Sequence, residues 1–376
     1  MNIGIVRRRF AASGGAELYT QRLLTELAKR GHRPHLFTEH WENPPPGVVL
    51  HQLPGSSSRA NRNLAFAQAL QSEIRRVPLD CSLSLERTFQ QDVFRAGDGV
   101  HRVWLQERKR FAPWWKRPWI GCGRFHRNLL ELETRTFHPD STRHVIVNSQ
   151  MVRDDILQNF DFPAERIHLI RNGVNTSRII GADRSSARAR FGLGAGEFVV
   201  AFVGSGWERK GLPFLLSASR ALPSRMKVRV LVAGHGRPPR NPPANALFAG
   251  SIRDIETVYA AADILATLPI YEPSANVVSE ALAAGLPVIT SRRNGASELL
   301  QDGVNGSILE DPSDTLAVAN ALRIWYEKRG IPLPRPPGGA AAFSIERNVS
   351  ETLALLESVA REKRDLPGLS PGKTAE

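Results

Sequence analysis

The sequence predicts an α/β protein built from two doubly wound, Rossmann-like domains, and three observations support this fold class. The chain has 376 residues, which suits two domains of roughly 150 to 200 residues better than one core. Short apolar strands alternate with amphipathic helices along most of its length. The alternation starts twice, at the N-terminus and again near residue 197, so each half predicts its own parallel sheet and the pair predicts a cleft.

The first half opens with a β-loop-α-β unit. Residues 2–6 (NIGIV) form an apolar strand, and Gly14 and Gly15 precede a stretch with leucines at helical spacing. Gly31 ends that helix, and HRPHLFTE follows as a second strand. This order places the glycines at the helix N-terminus and predicts a parallel sheet; a tight turn is the simplest role for the two glycines.

The second half repeats this order of elements. The strand EFVVAFVGSG precedes a helix (LPFLLSASRAL) and a further strand (MKVRVLVAG). The later segments are predicted as the strand ADILATLP, the helix NVVSEALAAG, the strand LPVITS and the helix ASELLQDG. We place the domains at 1–174 and 175–343, followed by a helix at 344–364 that crosses back to the first domain and a disordered tail at 365–376.

Composition limits the class of partner and the cellular location. The net charge of +13 favours an anionic partner, whether phospholipid, phosphorylated glycan or nucleic acid. Two cysteines are too few for a disulfide framework and fit a reducing cytosol. The N-terminus lacks the order of a signal peptide, and no run of 18 apolar residues occurs, so any membrane contact is expected to be peripheral.

Two glutamates eight positions apart carry the most specific signal. Glu272 lies in the loop before the predicted helix NVVSEALAA, and Glu280 lies about one turn inside it. Carboxylates accept hydrogen bonds from vicinal hydroxyls, as sugar recognition requires. The spacing resembles the E-x7-E signature of the retaining GT-B glycosyltransferases of family 4. That resemblance implies that Glu280 holds ribose and Glu272 the transferred sugar; the alternative is a helix-capping residue and a solvated side chain.

A basic pair supplies the second signal. The segment VGSGWERKGLPFLL resembles the strand-loop-helix of the same family, which implies that Arg209 and Lys210 bind the donor diphosphate. Positive charge there stabilises the leaving nucleoside diphosphate, so the pair can replace a metal ion. No D-x-D follows a strand, and a metal-independent reaction without a cofactor is expected. The alternative is a solvated basic turn.

Weaker donor contacts follow from the resemblance alone. It implies that Gly14 and Gly15 approach phosphate or sugar through their amides, and that Ser251 and Ile252 contact the nucleotide base through the backbone. Ser274 and Ala275, followed by Asn276, stand where many relatives carry a Phe-Gly pair. This departure leaves the donor-sugar pocket open.

The segment DVFRAGDGVHR contains candidate acceptor residues. The resemblance places a cleft residue near Asp98 and His101, with Asp92 further upstream. Asp98 is the first candidate to orient the acceptor hydroxyl and accept its proton, and His101 the second. A turn formed by Gly-Asp-Gly is the structural alternative.

A basic aromatic insert spans residues 102–128. It holds eight Lys or Arg, four of the seven tryptophans, and two phenylalanines. Basic residues attract anionic headgroups and tryptophan favours the bilayer interface, so the insert predicts contact with a membrane or with an anionic acceptor. A core-packed tryptophan cluster and an RNA-binding loop are the alternatives. The candidate contact residues are Arg108, Lys109, Arg110, Trp114, Trp115, Lys116, Arg117 and Trp119.

The order of DVFRAGDGVHR and this insert resembles the lipopolysaccharide core glucosyltransferases within the family. The resemblance implies UDP-glucose as donor, a heptose of the lipid-linked inner core as acceptor, retained configuration, and a location at the cytoplasmic face of the inner membrane. Other donors (GDP-mannose, UDP-GlcNAc, ADP-heptose) or an epimerase reaction are the enzymatic alternatives. A basic protein that binds lipid or nucleic acid without catalysis is the non-enzymatic one, although no nucleic-acid partner is expected.

Overall fold

A computed structural model describes residues 1–9, 15–179, 181–334 and 339–365. These residues form two compact units. The first unit contains residues 1–148, 152–171 and the chain from Asn348 onward, and the second contains residues 149–151 and 172–347. The chain passes from the first unit to the second between residues 171 and 172, and it returns to the first unit within the last described helix.

The first unit is built on a seven-stranded parallel sheet with the order β3-β2-β1-β4-β5-β6-β7. The strands are β1 Asn2–Val6, β2 Arg33–Thr38, β3 Val49–Gln52, β4 Cys81–Ser84, β5 Gln91–Arg95, β6 Thr142–Val147 and β7 Ile167–Leu169. Its α-helices are α1 Gly15–Lys29, α2 Arg62–Ile74, α3 His101–Arg110, α4 Arg124–Thr136 and most of α5 Gln150–Asn159.

The second unit is built on a six-stranded parallel sheet with the order β10-β9-β8-β11-β12-β13. The strands are β8 Phe198–Val203, β9 Val228–Ala233, β10 Ala246–Gly250, β11 Ile264–Thr267, β12 Val288–Ser291 and β13 Gly306–Leu309. The helices are α6 Thr176–Ile179, α7 Arg184–Arg190, α8 Leu212–Arg220, α9 Glu256–Ala261, α10 Asn276–Ala283 and α11 Thr315–Glu327, and α12 Ile345–Asp365 begins here and continues in the first unit.

Both faces of the second sheet are covered, as the continuous apolar run of β8 requires. Alternate residues of β8 enter two separate hydrophobic clusters: Val199 and Ala201 pack with residues of α9 and α10, whereas Val200 and Phe202 pack with residues of α8 and α11. The predicted fold class, two doubly wound α/β domains, is confirmed.

One predicted element is wrong. The segment ASELLQDG does not form an α-helix; Gly295–Leu299 makes a short 3-10 helix and the chain then turns into β13. The cause is local competition for backbone amides. Asn305 Oδ1 accepts from the Gln301 amide at 2.8 Å, and Asp302 Oδ1 accepts from the Ile308 amide at 3.0 Å, which fixes a turn where a helix would continue.

Each sheet has one point at which the strand order reverses. The reversal lies between β1 and β4 in the first unit and between β8 and β11 in the second. In doubly wound sheets, ligands bind outside the carboxyl ends of the strands at such a point. Each unit therefore offers one candidate site, at the carboxyl ends of the strands beside its reversal point.

Candidate functional site

The reversal point of the second sheet is lined by Arg209 and Lys210. The loop after β8 that carries them is bound to the loop after β11 through two backbone hydrogen bonds: the Leu268 amide donates to the Lys210 carbonyl at 3.0 Å, and the Ile270 amide to the Arg209 carbonyl at 3.2 Å. Gly211, with φ of +76°, makes this approach possible, because a Cβ there would lie 1.9 Å from the Leu268 carbonyl oxygen.

Glu272 is fixed by its own backbone beside this basic pair. Its amide donates to the Arg293 carbonyl at 2.9 Å, and its carbonyl accepts from the Gly295 amide at 2.9 Å. Its carboxylate forms an ion pair with the Arg209 guanidinium. Glu272 precedes α10, as predicted from the spacing, and does not cap the helix through its side chain.

Glu280 lies in the second turn of α10, where the Tyr259 hydroxyl donates to its carboxylate at 2.5 Å. Burial raises the pKa of Glu280, whereas the Tyr259 hydrogen bond and the nearby Lys210 oppose that rise. Burial also lowers the pKa of Lys210, and the two carboxylates of Glu272 and Glu280 oppose this shift. The structure therefore brings Arg209, Lys210, Glu272 and Glu280 together.

Lys210 is held close to the end of β8. A Cβ at Gly204, which has φ of +125°, would lie 2.5 Å from the Lys210 Nζ. A side chain at that position would displace the ammonium group. The arrangement supplies two cations for an anionic ligand and two carboxylates for hydroxyl groups.

Polar side chains hold the segment between the two glutamates. The side-chain Nδ2 of Asn172 donates to the Ser274 carbonyl at 3.2 Å and to Asn276 Oδ1 at 2.9 Å. The buried Asn294 Oδ1 accepts from the Ala275 amide at 3.1 Å. Ser274, Ala275 and Asn276 are thus placed at the N-terminus of α10, next to Glu272.

Sequence reasoning missed Tyr259, Asn172 and Asn294 as parts of this arrangement. Asn172 directly precedes Gly173, where a turn is the simplest expectation, and Tyr259 falls within an apolar helical stretch. Their partners are 21 residues away for Tyr259 and more than 100 residues away for Asn172. Asn294 carried the one available signal, an amide between a buried strand and a glycine, which is a position where side chains cap backbone amides.

The remaining donor candidates are dispersed. Ser251 and Ile252 follow β10, next to the edge of the same sheet; Ser251 is exposed and Ile252 packs against the core of the second unit. Gly15 is the first residue of α1 in the first unit. Gly14 lies outside the described residues.

Asp98 and His101 lie after β5 in the first unit. Asp98 is exposed and lines a cavity of about 230 Å³. His101 Nε2 is 3.1 Å from His126 Nδ1. Burial, assisted by the Arg87 charge, lowers the pKa of His101 to about 3. A histidine with that pKa is neutral at neutral pH. Asp92 lies elsewhere, in β5, where it pairs with Lys363.

The insert forms α3, a 3-10 helix at Trp114–Trp119 and the start of α4. Trp114, Trp115 and Trp119 are 76%, 58% and 78% exposed, so the alternative of a core-packed cluster is wrong for these three. The remaining candidate residues Arg108, Lys109, Arg110, Lys116 and Arg117 are also exposed. Arg108 lies over the Trp104 ring, and Arg117 Nε donates to the Ala112 carbonyl at 3.0 Å.

This stretch presents basic and aromatic side chains together at the surface, which is typical of an interaction site. Among the residues that the structure describes, no helix has the length and apolar character needed to cross a membrane.

Two protein-family models match the chain. A model described as glycosyl transferases group 1 matches residues 197–328, which include the four clustered side chains, and a model described as glycosyltransferase family 4 matches residues 13–84 and 93–178. Together the two matches extend over most of the sequence. The chain belongs to glycosyltransferase family 4.

Curated relatives of this family 4 glycosyltransferase align with between 46% and 97% of its length. A probable transglycosylase of Burkholderia thailandensis is 27% identical over 97% of this chain and 99% of its own. The lipopolysaccharide glucosyltransferase WaaG of Escherichia coli is 24% identical over 82% of this chain and 85% of its own. A D-inositol 3-phosphate glycosyltransferase of a Mycobacterium species is 34% identical, but over 46% of this chain and 42% of its own.

Solved structures confirm the GT-B fold of this family 4 glycosyltransferase. The crystal structure of WaaG, a glycosyltransferase involved in lipopolysaccharide biosynthesis, aligns with a TM-score of 0.73 at 22% identity, covering 98% of this chain and all of that one. The Anabaena protein HepE in complex with UDP-glucose aligns with a TM-score of 0.65 at 19% identity, covering 95% of this chain and all of that one. The matched family models and the curated relatives named as glycosyltransferases show that the chain is an enzyme, so the non-enzymatic alternative is wrong.

Proposed function

We propose that this enzyme is a retaining, metal-independent hexosyltransferase that moves glucose from UDP-glucose to a heptose of the lipopolysaccharide core or to a similar lipid-linked, anionic glycan. The observation that carries the proposal is the convergence of Arg209, Lys210, Glu272 and Glu280 at the reversal point of the second sheet. The structural neighbour HepE binds UDP-glucose, and the relative WaaG is named a lipopolysaccharide glucosyltransferase; both names support this donor.

Each of the four side chains has a role that matches its chemistry. Arg209 and Lys210 bind the diphosphate, where positive charge stabilises the negative charge that grows on the leaving group. Glu280 accepts hydrogen bonds from the ribose hydroxyls, and its bond from Tyr259 fixes the carboxylate orientation. Glu272 accepts from the hydroxyls of the transferred glucose, and its ion pair with Arg209 links sugar binding to phosphate binding.

The proposed step is a substitution at the anomeric carbon. The bond from C1 to the β-phosphate oxygen breaks, and the acceptor oxygen forms the new bond to C1 on the same face. The acceptor proton passes to a β-phosphate oxygen of the departing UDP. Asp98 orients the acceptor hydroxyl, whereas His101, whose pKa is lowered to about 3 by burial, is neutral at neutral pH.

The first test is a thermal-shift and calorimetric screen of nucleotide sugars in EDTA. UDP and UDP-glucose are expected to raise the melting temperature, because a ligand that binds only the folded state stabilises it. Glu272→Gln is expected to lower transfer about 100-fold or more. Glu310→Gln, which removes an exposed carboxylate paired with Arg292, is the matched control and should leave transfer unchanged.

Four outcomes would overturn parts of this assignment. A shift with GDP-mannose or ADP-heptose alone contradicts the UDP-glucose donor. Release of an altered free nucleotide sugar without acceptor would indicate an epimerase. An inverted anomeric signal in the NMR spectrum of the product contradicts retention, and activity that EDTA abolishes contradicts the metal-independent reaction.

We also propose that the enzyme associates peripherally with the cytoplasmic face of the inner membrane through the insert. Three exposed tryptophans beside exposed lysines and arginines suit an anionic bilayer interface. Flotation with vesicles of anionic and neutral lipid tests this, with Trp114→Ala/Trp115→Ala as the variant and Leu316→Ala, at another exposed apolar position, as control. Equal binding to both vesicle types, or unchanged binding of the double variant, contradicts it.

A further inference from the structure

A second set of arginines surrounds the cavity of about 230 Å³ in the first unit. Five separate segments contribute to it: the loops after β1 and β4, the start of α2, the end of β5 with the loop that follows it, and α4. The loops after β1 and β4 flank the reversal point of the first sheet. The cavity therefore occupies the position in the first unit that the proposed donor site occupies in the second. The lining arginines are Arg8, Arg62, Arg87 and Arg95.

Three of these arginines, Arg8, Arg62 and Arg87, each have one side-chain N–H group without a hydrogen-bond partner among the described residues. The side chains of Arg8 and Arg87 are only 15% and 9% exposed. The Nε atoms of Arg8, Arg62 and Arg87 are buried, and none has a hydrogen-bond partner within the part of the chain that the structure describes. A buried donor without a partner costs about 1 to 3 kcal/mol, and a hydrogen-bond acceptor bound in this cavity would offset that cost at each donor it reaches.

Two of the guanidinium groups are held in place from behind. Arg87 donates to the Gly99 carbonyl at 2.7 Å and to the buried Glu133 carboxylate at 3.1 Å. Arg8 lies 3.5 Å from the Glu39 carboxylate. These anchors orient the arginines without closing the cavity, and preorganised donors lose less freedom when a ligand binds.

The local charge is suited to an anion. Desolvation and the neighbouring charges of Arg8, Arg59 and Arg9 lower the pKa of Arg62, which shows how closely the cations are crowded. Two acids, Glu86 and Asp98, also line the cavity. Burial and the nearby Asp98 raise the pKa of Glu86, whereas the charges of Arg7 and Arg8 oppose that rise.

The walls suit a sugar beside the anion. Phe66, Phe94, Phe125 and Leu129 complete the lining, and the Arg62 guanidinium lies 5.9 Å from the Phe125 ring centroid. Phe125 belongs to the insert, so the insert contributes to this cavity as well as to the exposed surface. Apolar and aromatic side chains of this kind pack against the less polar face of a sugar ring.

We propose that this cavity binds a phosphomonoester carried by the sugar acceptor, with Arg62 and Arg87 as the central donors. The inference rests on the proposed function, because it assigns the acceptor to the first unit while the donor diphosphate is bound by the second. A phosphate group fits four guanidinium groups that line one cavity better than a carboxylate does, since it offers three terminal oxygens and up to two charges. Asp98 at the same cavity is then placed to orient a hydroxyl of that acceptor.

Calorimetry on the full-length enzyme tests the site with glucose 6-phosphate as the probe. Glucose, glucuronate and inorganic phosphate separate the contributions of the sugar, the carboxylate and the free anion. Glucose 6-phosphate is expected to bind at least tenfold more tightly than each of these three. Arg62→Gln should weaken that binding tenfold or more, and Arg62→Lys should fall between, because it keeps the charge and loses the fork of donors. Arg76→Gln, on an exposed residue just beyond α2, is the matched control and should bind normally.

Binding of UDP to the same variants separates this inference from the proposed function. Arg62→Gln is expected to bind UDP as the unsubstituted enzyme does. Equal weakening of UDP and glucose 6-phosphate would overturn the inference, because the cavity would then serve the donor. Inorganic phosphate or glucuronate binding as tightly as glucose 6-phosphate would also overturn it. Arg62-dependent binding of glucose 6-phosphate by an enzyme that fails to bind UDP would support the cavity and contradict the proposed donor.

Discussion

Glu280 is the residue through which pH acts on the proposed donor site. Burial raises the pKa of its carboxyl group, and the Tyr259 hydroxyl and the Lys210 ammonium oppose that rise. The ionised carboxylate is the form that accepts two ribose hydroxyls, whereas the protonated form turns one oxygen into a donor. As the pH is lowered, nucleotide binding should therefore begin to weaken at a higher pH than it would if Glu280 had the pKa of an ordinary carboxyl group.

The first prediction is a pH-dependent affinity for UDP-glucose. The affinity is expected to fall about 10- to 100-fold as pH drops through the raised pKa of Glu280, as the loss of a charge-assisted hydrogen bond implies. Tyr259→Phe removes a bond that favours the ionised form, so the midpoint should move to higher pH. Calorimetry over a pH series measures both effects. Glu280→Gln should bind weakly and without this pH dependence; a dependence that persists in it would contradict the assignment.

Glu133 is a buried carboxylate that organises the first unit. It is fully buried in α4 and accepts from the His101 amide at 2.6 Å, the Arg102 amide at 3.0 Å and Arg87 Nη2 at 3.1 Å. The two amides belong to the N-terminus of α3, where a negative charge is stabilised by the helix dipole. One carboxylate therefore fixes both the start of α3 and an arginine of the proposed phosphate cavity.

The second prediction compares two glutamates of the same helix. Glu133→Gln is expected to cost about 3 to 5 kcal/mol of stability, because it leaves the buried Arg87 without its counter-charge. Glu131→Gln removes an exposed ion pair with Arg135 and should cost about 0 to 1 kcal/mol. Urea unfolding measures both. Equal and small losses would show that Glu133 contributes no more than a surface residue.

Among the secondary-structure elements, the contact that matters most for the proposed donor site is the one between the loops that follow β8 and β11. The loop after β8 and the loop after β11 touch at Gly211 and Leu268, and this contact brings Arg209 to Glu272. Gly285, at the end of α10, has almost the same φ, +78° against +76°, but a Cβ there would meet nothing within 4 Å. The two glycines therefore separate the cost of backbone conformation from the cost of close approach.

The third prediction uses this pair. Gly285→Ala should cost about 1 to 2 kcal/mol, the penalty for a side chain in the left-handed region, and should bind UDP normally. Gly211→Ala carries the same penalty and also forces Leu268 away, so it should cost more and weaken UDP binding at least tenfold. Urea unfolding and calorimetry report the two effects. Normal UDP binding by Gly211→Ala would contradict the role given to the loop contact.

Elements with a clear period were predictable from the sequence, and tertiary partners were not. The apolar run of β8 and the stripe of α10 fix their own structures, and the resemblance located Glu280 within α10 and Glu272 in the loop before it. Tyr259 and Asn172 became visible only in the fold, since a hydrogen bond between distant segments leaves no periodic signal. Arg62 and Arg87 were likewise hidden among 50 basic residues. Glu133 left a trace, an acid at helical spacing from Leu129 and Thr136 on a buried face.

At the scale of the whole molecule, the last described helix belongs largely to the same unit as the first strand. The last described helix, α12, starts in the second unit and belongs to the first from Asn348 onward. Its apolar face is buried, with Leu353 and Leu356 fully covered, and Thr352 lies 3.2 Å from the Tyr19 hydroxyl of α1. The first unit is therefore completed only when the last helix has been made, although its sheet is encoded by the first half of the chain.

The fourth prediction follows from this arrangement. Leu353→Ala should cost about 2 to 5 kcal/mol, as a cavity in a packed core does. Hydrogen exchange should show the loss in amides of β1 to β7, whereas amides of β8 to β13 keep their protection, because the second unit has its own two hydrophobic clusters. UDP should still bind the variant, since Arg209, Lys210, Glu272 and Glu280 all belong to the second unit. Leu316→Ala, at a position that is 77% exposed, is the control and should change stability by no more than about 0.5 kcal/mol. Equal loss of protection in both sheets would mean that the two units unfold together, and that α12 stabilises the whole chain rather than the first unit alone.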